Sequence, residues 1–431
     1  MGGLAARCRR LDDADLADDL VAVAGAAGTL WEAQRVSLAG RGVAARVAVD
    51  RSSAPAAGAS VAEALAAIHV VDEVDAPGSG PVALGALPFD PTAPGDLVVP
   101  EVVVGRAEDG RRWVTTVLPA DATPTDHDEA VARLAAEVRA GAGAGRSLAG
   151  FIAGEPTQPG AMEVRSTRTP AEWCASLAAA RDELRDGAAD KVVLARQVVV
   201  TADAPIPVDA VLRHLRSTFP ASLRWSVDGF VGASPELLVA RTDDVVRCHP
   251  MAGTAPRAGD PEADARLAAA LSASEKNRVE HRHTIDLVHE TLLPYCSYLD
   301  EEAEPSIVAM ANVQHLATRL EGRLSQPAAS VLELVGALHP TPAVCGRPRQ
   351  AAMDLIARHE GLERDRYAGP VGWVDRAGNG AWAVGIRCAQ IDGPVARVVA
   401  GVGVVADSDP GMELAETRAK MQALLAAIVR P

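Results

Sequence analysis

Lysine is nearly missing from this 431-residue chain: of its 42 basic residues only Lys191, Lys276 and Lys420 are lysines. A guanidinium keeps its proton in proteins, whereas an ammonium gives it up when burial or neighbours lower its pKa. The positions that stay Lys are therefore candidates for chemistry that Arg cannot do. Aromatic residues are also scarce, at 3%. Ala, Val and Leu are left to fill the core that a hydrophobic content of 48% and a mean hydropathy of +0.07 support. No run of about 18 apolar residues occurs, which argues against a membrane-spanning helix. Behind Arg7, Arg9 and Arg10 there is no apolar stretch of the kind a secretory leader has, and Met1–Ala6 lacks the Ser or Thr of a myristoylation signal. The six cysteines lie far apart with no CxxC pair, which indicates neither a disulfide framework nor a structural zinc site. No basic stretch with interleaved aromatics is present, and a net charge of −15 would repel a phosphate backbone. A reduced, cytoplasmic protein that binds neither membrane nor nucleic acid is the expectation. Acidic small molecules are not excluded, because local Arg and Lys, or a bridging metal, can reverse the sign inside a cleft.

Residues 1–150 and the remainder read differently. Upstream, small-residue helices (Ala14–Ala27, Val61–His69) and β-type runs (Val43–Val49, Pro81–Ala86, Val98–Val104, Trp113–Leu118) are separated by Pro/Gly-rich loops. A helical pattern at Asp128–Ala140 ends in Gly141-Ala-Gly-Ala-Gly145, the best linker candidate in the chain. Downstream, a helix at Pro170–Asp186 leads into a strand at Lys191–Thr201. Long helices are expected at Glu262–Leu271, Glu275–Leu293 and Ala328–Ala337. A hairpin pairs Ala368–Val374 with Gly380–Gln390. Strand Val395–Val405 precedes a last helix with Asp409 as N-cap and Pro410 at its first position. Runs of strands beside long helices, without strict βαβ alternation, read as α+β with mainly antiparallel sheets.

On the last helix Glu413, Glu416 and Lys420 are spaced i, i+3, i+7 and share one face, while Leu414, Met421, Leu425 and Ile428 mark an apolar one. Two carboxylates one turn apart suit a hard cation such as Mg²⁺, and they equally suit an exposed helix with an ordinary Glu416–Lys420 pair. Glu280 lies on a second acidic helix and would complete a two-carboxylate site if the two helices converge across a cleft. His281, His283 and His289 match no zinc-type helical pair. Glu236, at the Ser234-Pro turn between strands, is either a turn residue or the acid partner of Lys191; a base and an acid on rigid elements can add water to one side of a substrate and expel hydroxide from another. Met251–Arg257 and Gly401-Val-Gly403 are small-residue stretches that fit either anion approach or tight turns and bulges. Arg387 interrupts an apolar strand and needs an anionic partner, a substrate carboxylate or a structural Asp/Glu.

The order of these motifs is more specific than any one of them. Lys191-Val-Val-Leu-Ala-Arg196, Ala233-Ser-Pro-Glu-Leu237, Met251-Ala-Gly-Thr-Ala-Pro-Arg257 and Glu275-Lys-Asn-Arg-Val-Glu-His281 come first. Gln314-His-Leu316, Leu338-His-Pro-Thr-Pro-Ala-Val-Cys-Gly-Arg-Pro348, Val371-Gly-Trp373, Ile386-Arg-Cys388 and Glu413-Leu-Ala-Glu-Thr-Arg-Ala-Lys420 follow. Over roughly Arg165–Val429 the chain closely resembles the chorismate-binding enzymes related to anthranilate synthase component I, and among them the isochorismate synthases of menaquinone and siderophore pathways. Upstream the resemblance fades to fragments such as Gly85-Ala-Leu-Pro-Phe-Asp90.

The resemblance implies a single large α+β domain in which two antiparallel sheets, flanked by helices, enclose a Mg²⁺-dependent site. Residues 1–150 would form a divergent region of the same fold and 151–431 the catalytic region. By motif, Lys191 would be the base that activates water for attack at C2 of chorismate, and Glu236 the acid that assists loss of the C4 hydroxyl. Glu280 and Glu416 would bind Mg²⁺, with Glu413 in or next to the site. Arg387 would grip the enolpyruvyl carboxylate, helped by Tyr367 and the backbone at Gly401 and Gly403. Gly253, Thr254 and His315 would line the ring, and Lys420 would steady the acidic cluster. Relatives that add ammonia carry Gln in place of Lys191, those with a Lys nucleophile carry it where Ala252 stands, and those that expel pyruvate tend to carry Thr where Ala343 stands. An isomerase (hydroxymutase) that stops at isochorismate is the implied activity. A salicylate synthase and a non-catalytic chorismate-fold binding protein are the alternatives. Asn277 departs from the Asp or Glu common at its position, and Cys345 from a common Ser. Nothing resembles a glutaminase or its docking helix, so a monomer is expected.

Overall fold

The computed structural model of the protein describes residues 3–11, 16, 18–144, 159–310 and 313–430. The largest of three sheets runs, edge to edge, through Met162–Ser166, Lys191–Ala202, Val395–Val404, Cys388–Asp392, Phe230–Ser234, Leu223–Val227, Thr29–Glu32, Val36–Arg41, Val102–Ala107, Arg112–Pro119, Leu4–Arg10 and His69–Asp72. Its pairings are antiparallel except the last, between Leu4–Arg10 and His69–Asp72. The second sheet runs Cys296–Glu301, Leu320–Leu324, Val245–His249, Leu237–Thr242, Gly380–Val384, Pro370–Asp375, Val82–Ala86, Gly95–Val99, Ala45–Val49. A small third sheet pairs Met251–Pro256 and Ser306–Ala309 with Val313–Ala317. Strands from residues 1–150 thus build one flank of both large sheets. The fold is α+β.

One apolar cluster contains Trp31, Val103 and Trp225 of the larger sheet and Leu84, Leu97 and Trp382 of the second, so the two sheets share a core. A second cluster holds Val102, Val104, Ala396 and Val398 of the larger sheet with Leu212, Met421, Leu424 and Ile428 of the helices Val208–Thr218 and Pro410–Val429. Alternation along Val102-Val-Val104 feeds both clusters, as a strand buried on two faces requires. The few aromatics go where volume is most needed: Trp31, Trp113, Trp173, Trp225 and Trp382 are all fully buried. Among the described residues no helix is long and apolar enough to cross a membrane.

Several expected elements are corrected. Val98–Val104 is not one strand: the chain leaves the second sheet after Val99 and enters the larger at Val102, with Pro100, which cannot donate to a ladder, at the break. The run Gly380–Gln390 divides the same way, with Gly380–Val384 in the second sheet and Cys388–Asp392 in the larger. The Gly141–Gly145 linker begins inside the helix Pro124–Ala144, and Gly145 lies outside the described residues. Of the helix expected at Ala14–Ala27, Leu20–Ala24 is helical, capped by Asp19 and ended at Gly25, whose φ is +56°; residues 12–15 and 17 lie outside the description. The last helix is Pro410–Val429, capped by Asp409 as expected.

Candidate active site

The chain crosses between the large sheets at two neighbouring points. Ser234-Pro-Glu236 joins Phe230–Ser234 to Leu237–Thr242, and Gly385-Ile-Arg387 joins Gly380–Val384 to Cys388–Asp392. The crossings are fastened by backbone hydrogen bonds, Ala233 N to Arg387 O (3.1 Å) and Val384 N to Glu236 O (3.1 Å). Arg387 turns its corner with φ +54°, a left-handed conformation that costs a non-glycine residue roughly 1–2 kcal/mol. Both side chains line a cavity of about 380 Å³ at this seam.

Glu236 is only 4% exposed, and burial pushes its carboxyl up to about 8 against the opposing pull of the Met251 backbone, Lys191 and Arg387. That shift favours the protonated acid at neutral pH. Lys191 reaches the cavity from the start of Lys191–Ala202 and donates to Glu280 Oε1 at 2.5 Å. The neighbouring strand makes room for it: a β-carbon on Gly403 would meet Lys191 Cε at 2.6 Å, and one on Gly401 would meet the Tyr367 hydroxyl at 2.9 Å. These two glycines answer to side-chain space and not to a turn. Gly253, at φ +78°, sits where the Met251–Pro256 ladder shifts register, a bulge between Ala252 and Thr254. Thr254 then pairs with His315 across the strands. Thr254 Oγ1 lies 3.1 Å from His315 Nδ1, and His315 Nε2 lies 3.3 Å from Arg387 Nη2. Burial, then the charges of Arg387 and Lys420, push His315 down to about 3. Desolvation also pulls Arg387 below its ordinary range. Among the described residues no Asp or Glu lies within ion-pair distance of Arg387, so the structural-carboxylate reading of this guanidinium falls away. Tyr367 and Ala343 line the same cavity.

Two helices supply the acidic side. Glu280 projects from Glu275–Leu292, and Glu413, Glu416 and Lys420 project from Pro410–Val429 into the same cavity. Lys420 Nζ donates to Glu416 Oε1 (2.6 Å) and to Gly401 O (2.9 Å). The ordinary i,i+4 pair therefore exists, but it faces the cavity and ties the helix to strand Val395–Val404. Desolvation at Glu280 is outweighed by Lys191, Lys276 and Lys420, which hold its pKa below the usual carboxylate range. At Glu413 burial, and after it the Glu416 charge, push the pKa up. Among the described residues no three His, Cys, Asp or Glu side chains converge as a metal-holding group, Glu280 and Glu416 being bonded to Lys191 and Lys420. His281 turns away and contacts Thr318 Oγ1 at 2.7 Å.

All three lysines of the chain line this one cavity. Lys276 was flagged by lysine scarcity without being placed in the site. Ser408 was missed: its hydroxyl donates to Glu413 Oε1 at 2.9 Å and caps the turn at Val405, and the Ser408-Asp-Pro410 helix start was the signal that could have found it. Asn277 borders the cavity with its amide turned back to Ser274 Oγ (2.9 Å), the cap of its own helix. Cys345 is buried and free.

The family described as "Chorismate binding enzyme" matches residues 7–429. A provisionally named isochorismate synthase of Mycobacterium tuberculosis, MenF, is 41% identical over 366 residues, covering 81% of this chain and 87% of that protein. The isochorismate synthase DhbC of Bacillus subtilis is 36% identical over 361 residues, covering 81% of each. The structure of MenF, the menaquinone-specific isochorismate synthase of Escherichia coli, superposes with a TM-score of 0.80 at 24% identity, covering 100% of this chain and 95% of that one, and shares its fold.

Proposed function

The chain belongs to the chorismate-binding enzyme family, among its isochorismate synthases, and we propose that it converts chorismate to isochorismate with Lys191 as base and Glu236 as acid. The observation that carries the reading is a buried Glu236 lining the same cavity as Lys191, where burial pushes its pKa up to about 8. Lys191 takes a proton from the water that attacks C2. The ring double bonds shift, the C4–O bond breaks, and Glu236 gives its proton to the departing oxygen. One water is consumed and one released, so the reaction is an isomerisation. Arg387, a guanidinium with no carboxylate in ion-pair distance among the described residues, holds the enolpyruvyl carboxylate, and the Tyr367 hydroxyl beside Gly401 borders the same group. Gly253, Thr254 and His315 border the ring.

Glu280, Glu413 and Glu416 line one cavity and offer only hard oxygen donors, a chemistry that suits Mg²⁺; burial and, after it, the Glu416 charge raise the Glu413 pKa, and a cation would offset that charge. Mg²⁺ held by Glu280 and Glu416, with Glu413 in or next to its ligand set, would neutralise and anchor the ring carboxylate. The product would feed menaquinone or siderophore biosynthesis. Incubation with chorismate and Mg²⁺, followed by chromatographic separation, tests the reading. Isochorismate is the expected product; stoichiometric salicylate and pyruvate, or no turnover, would each replace it.

A further inference from the structure

We propose that His315 is a positioning residue: with Thr254 fixing its tautomer, its Nε2 lone pair aims the Arg387 guanidinium at the carboxylate of the enolpyruvyl side chain. A guanidinium has five N–H donors and no acceptor, so the ring nitrogen 3.3 Å from Arg387 Nη2 must be unprotonated. The ring then carries its one proton on Nδ1, which donates to Thr254 Oγ1 at 3.1 Å. An imidazolium would present a second N–H to Arg387 and repel it. The surroundings agree, since burial and the Arg387 and Lys420 charges keep the ring neutral.

The advantage of this partner lies in what it leaves unspent. An Asp or Glu beside Arg387 would orient the guanidinium but also neutralise it. A neutral imidazole orients it and leaves the full positive charge for an anionic ligand. The aim is set by rigid elements: His315 and Thr254 are cross-strand partners in the third sheet, and Arg387 is held at a backbone corner with φ +54°. A long side chain ordered before the ligand arrives loses less freedom on binding.

The inference rests on the proposed substrate, and two readouts keep the two apart. Calorimetry measures binding of chorismate and of its ester at the enolpyruvyl carboxylate; product chromatography measures turnover. Wild-type protein should prefer the acid over the ester, and His315→Leu should cut that preference ~10-fold by weakening acid binding alone, as expected for one charge-assisted contact losing its aim. His315→Gln, which keeps an amide acceptor for Arg387, should recover most of it. Thr254→Val should act in the same direction as His315→Leu, and Thr254→Ser, which keeps a hydroxyl for His315 Nδ1, should retain most of the acid-over-ester preference, which keeps the test decisive if the Leu variant misfolds. An unchanged acid-over-ester preference in His315→Leu and Thr254→Val overturns the positioning role and leaves the reaction intact. Tight chorismate binding without turnover overturns the reaction alone, and no chorismate binding by wild type overturns both.

Discussion

A β-carbon on Gly403 would lie 2.6 Å from Lys191 Cε and 3.2 Å from its Nζ, so the base reaches the cavity only because its cross-strand neighbourhood carries no side chain there. The ladder itself, Val193 opposite Gly403, does not depend on glycine. Gly403→Ala should therefore displace the flexible end of Lys191 without disturbing the sheet. The expected result is a fall in kcat of ~100-fold, the scale of a misplaced catalytic group, with little change in Tm. Unchanged turnover in a folded variant would remove Lys191 from the chemistry or the steric argument from the structure.

Glu236 sets a pH dependence of known sign. Its folded pKa of about 8 lies above the ordinary carboxylate value, so the acid is loaded below pH 8 and lost above it. The rate should fall as pH rises through about 8, and Glu236→Gln should lower kcat by ~100-fold or more while abolishing that limb. Stability follows the same linkage. Between the unfolded carboxylate range and pH 8 the folded state holds a proton that the unfolded state has released, so wild type loses stability as pH rises across that window. The Tm of Glu236→Gln should gain on wild type between pH 5 and pH 8. A constant gap would mean that Glu236 is already ionised in the fold.

How far the site could be read from the chain depends on whether a feature is local. The acidic face of the last helix follows from i, i+3, i+7 spacing alone, and Glu413, Glu416 and Lys420 do line the cavity. The corner at Arg387 was not legible. Apolar residues flank it on both sides, so Gly380–Gln390 reads as one strand, and the break is created by partners far away in sequence, Ala233 and Glu236. The pairing of Lys191 with Glu280 was missed for the same reason: Glu236 was the foreseen partner, and only the packing of Glu275–Leu292 beside the sheet shows that another carboxylate takes the hydrogen bond. Gly401 and Gly403 read as either an anion approach or tight turns and bulges, because their real neighbours, Tyr367 and Lys191, belong to other elements.

Glu416 tests the cation site. Glu416→Gln keeps the shape of the side chain and removes a charge from the set Glu280, Glu413 and Glu416. The variant should need ~10–100-fold more Mg²⁺ for half-maximal activity, with turnover partly recovered at high metal. Titration with Mn²⁺ followed by electron paramagnetic resonance should show the same loss in the absence of chorismate. Activity independent of metal concentration in both proteins would sink the assignment.

Ala343 bears on where the reaction stops. It lines the same cavity as Tyr367 and Arg387, the residues assigned to the enolpyruvyl group, and presents only a methyl. A hydroxyl at that point could contact the side chain and favour the conformation from which pyruvate leaves. The wild-type enzyme should release isochorismate with little salicylate at neutral pH, because nothing at position 343 stabilises the elimination more than the ground state. Ala343→Thr should raise pyruvate release measurably, to a minor fraction of turnover, since the rest of the pocket is unchanged. Pyruvate can be followed continuously with a coupled dehydrogenase, and isochorismate and salicylate separated at the end point. No increase in pyruvate would show that this position does not govern the branch, and stoichiometric pyruvate from wild type would show that a methyl there does not prevent elimination.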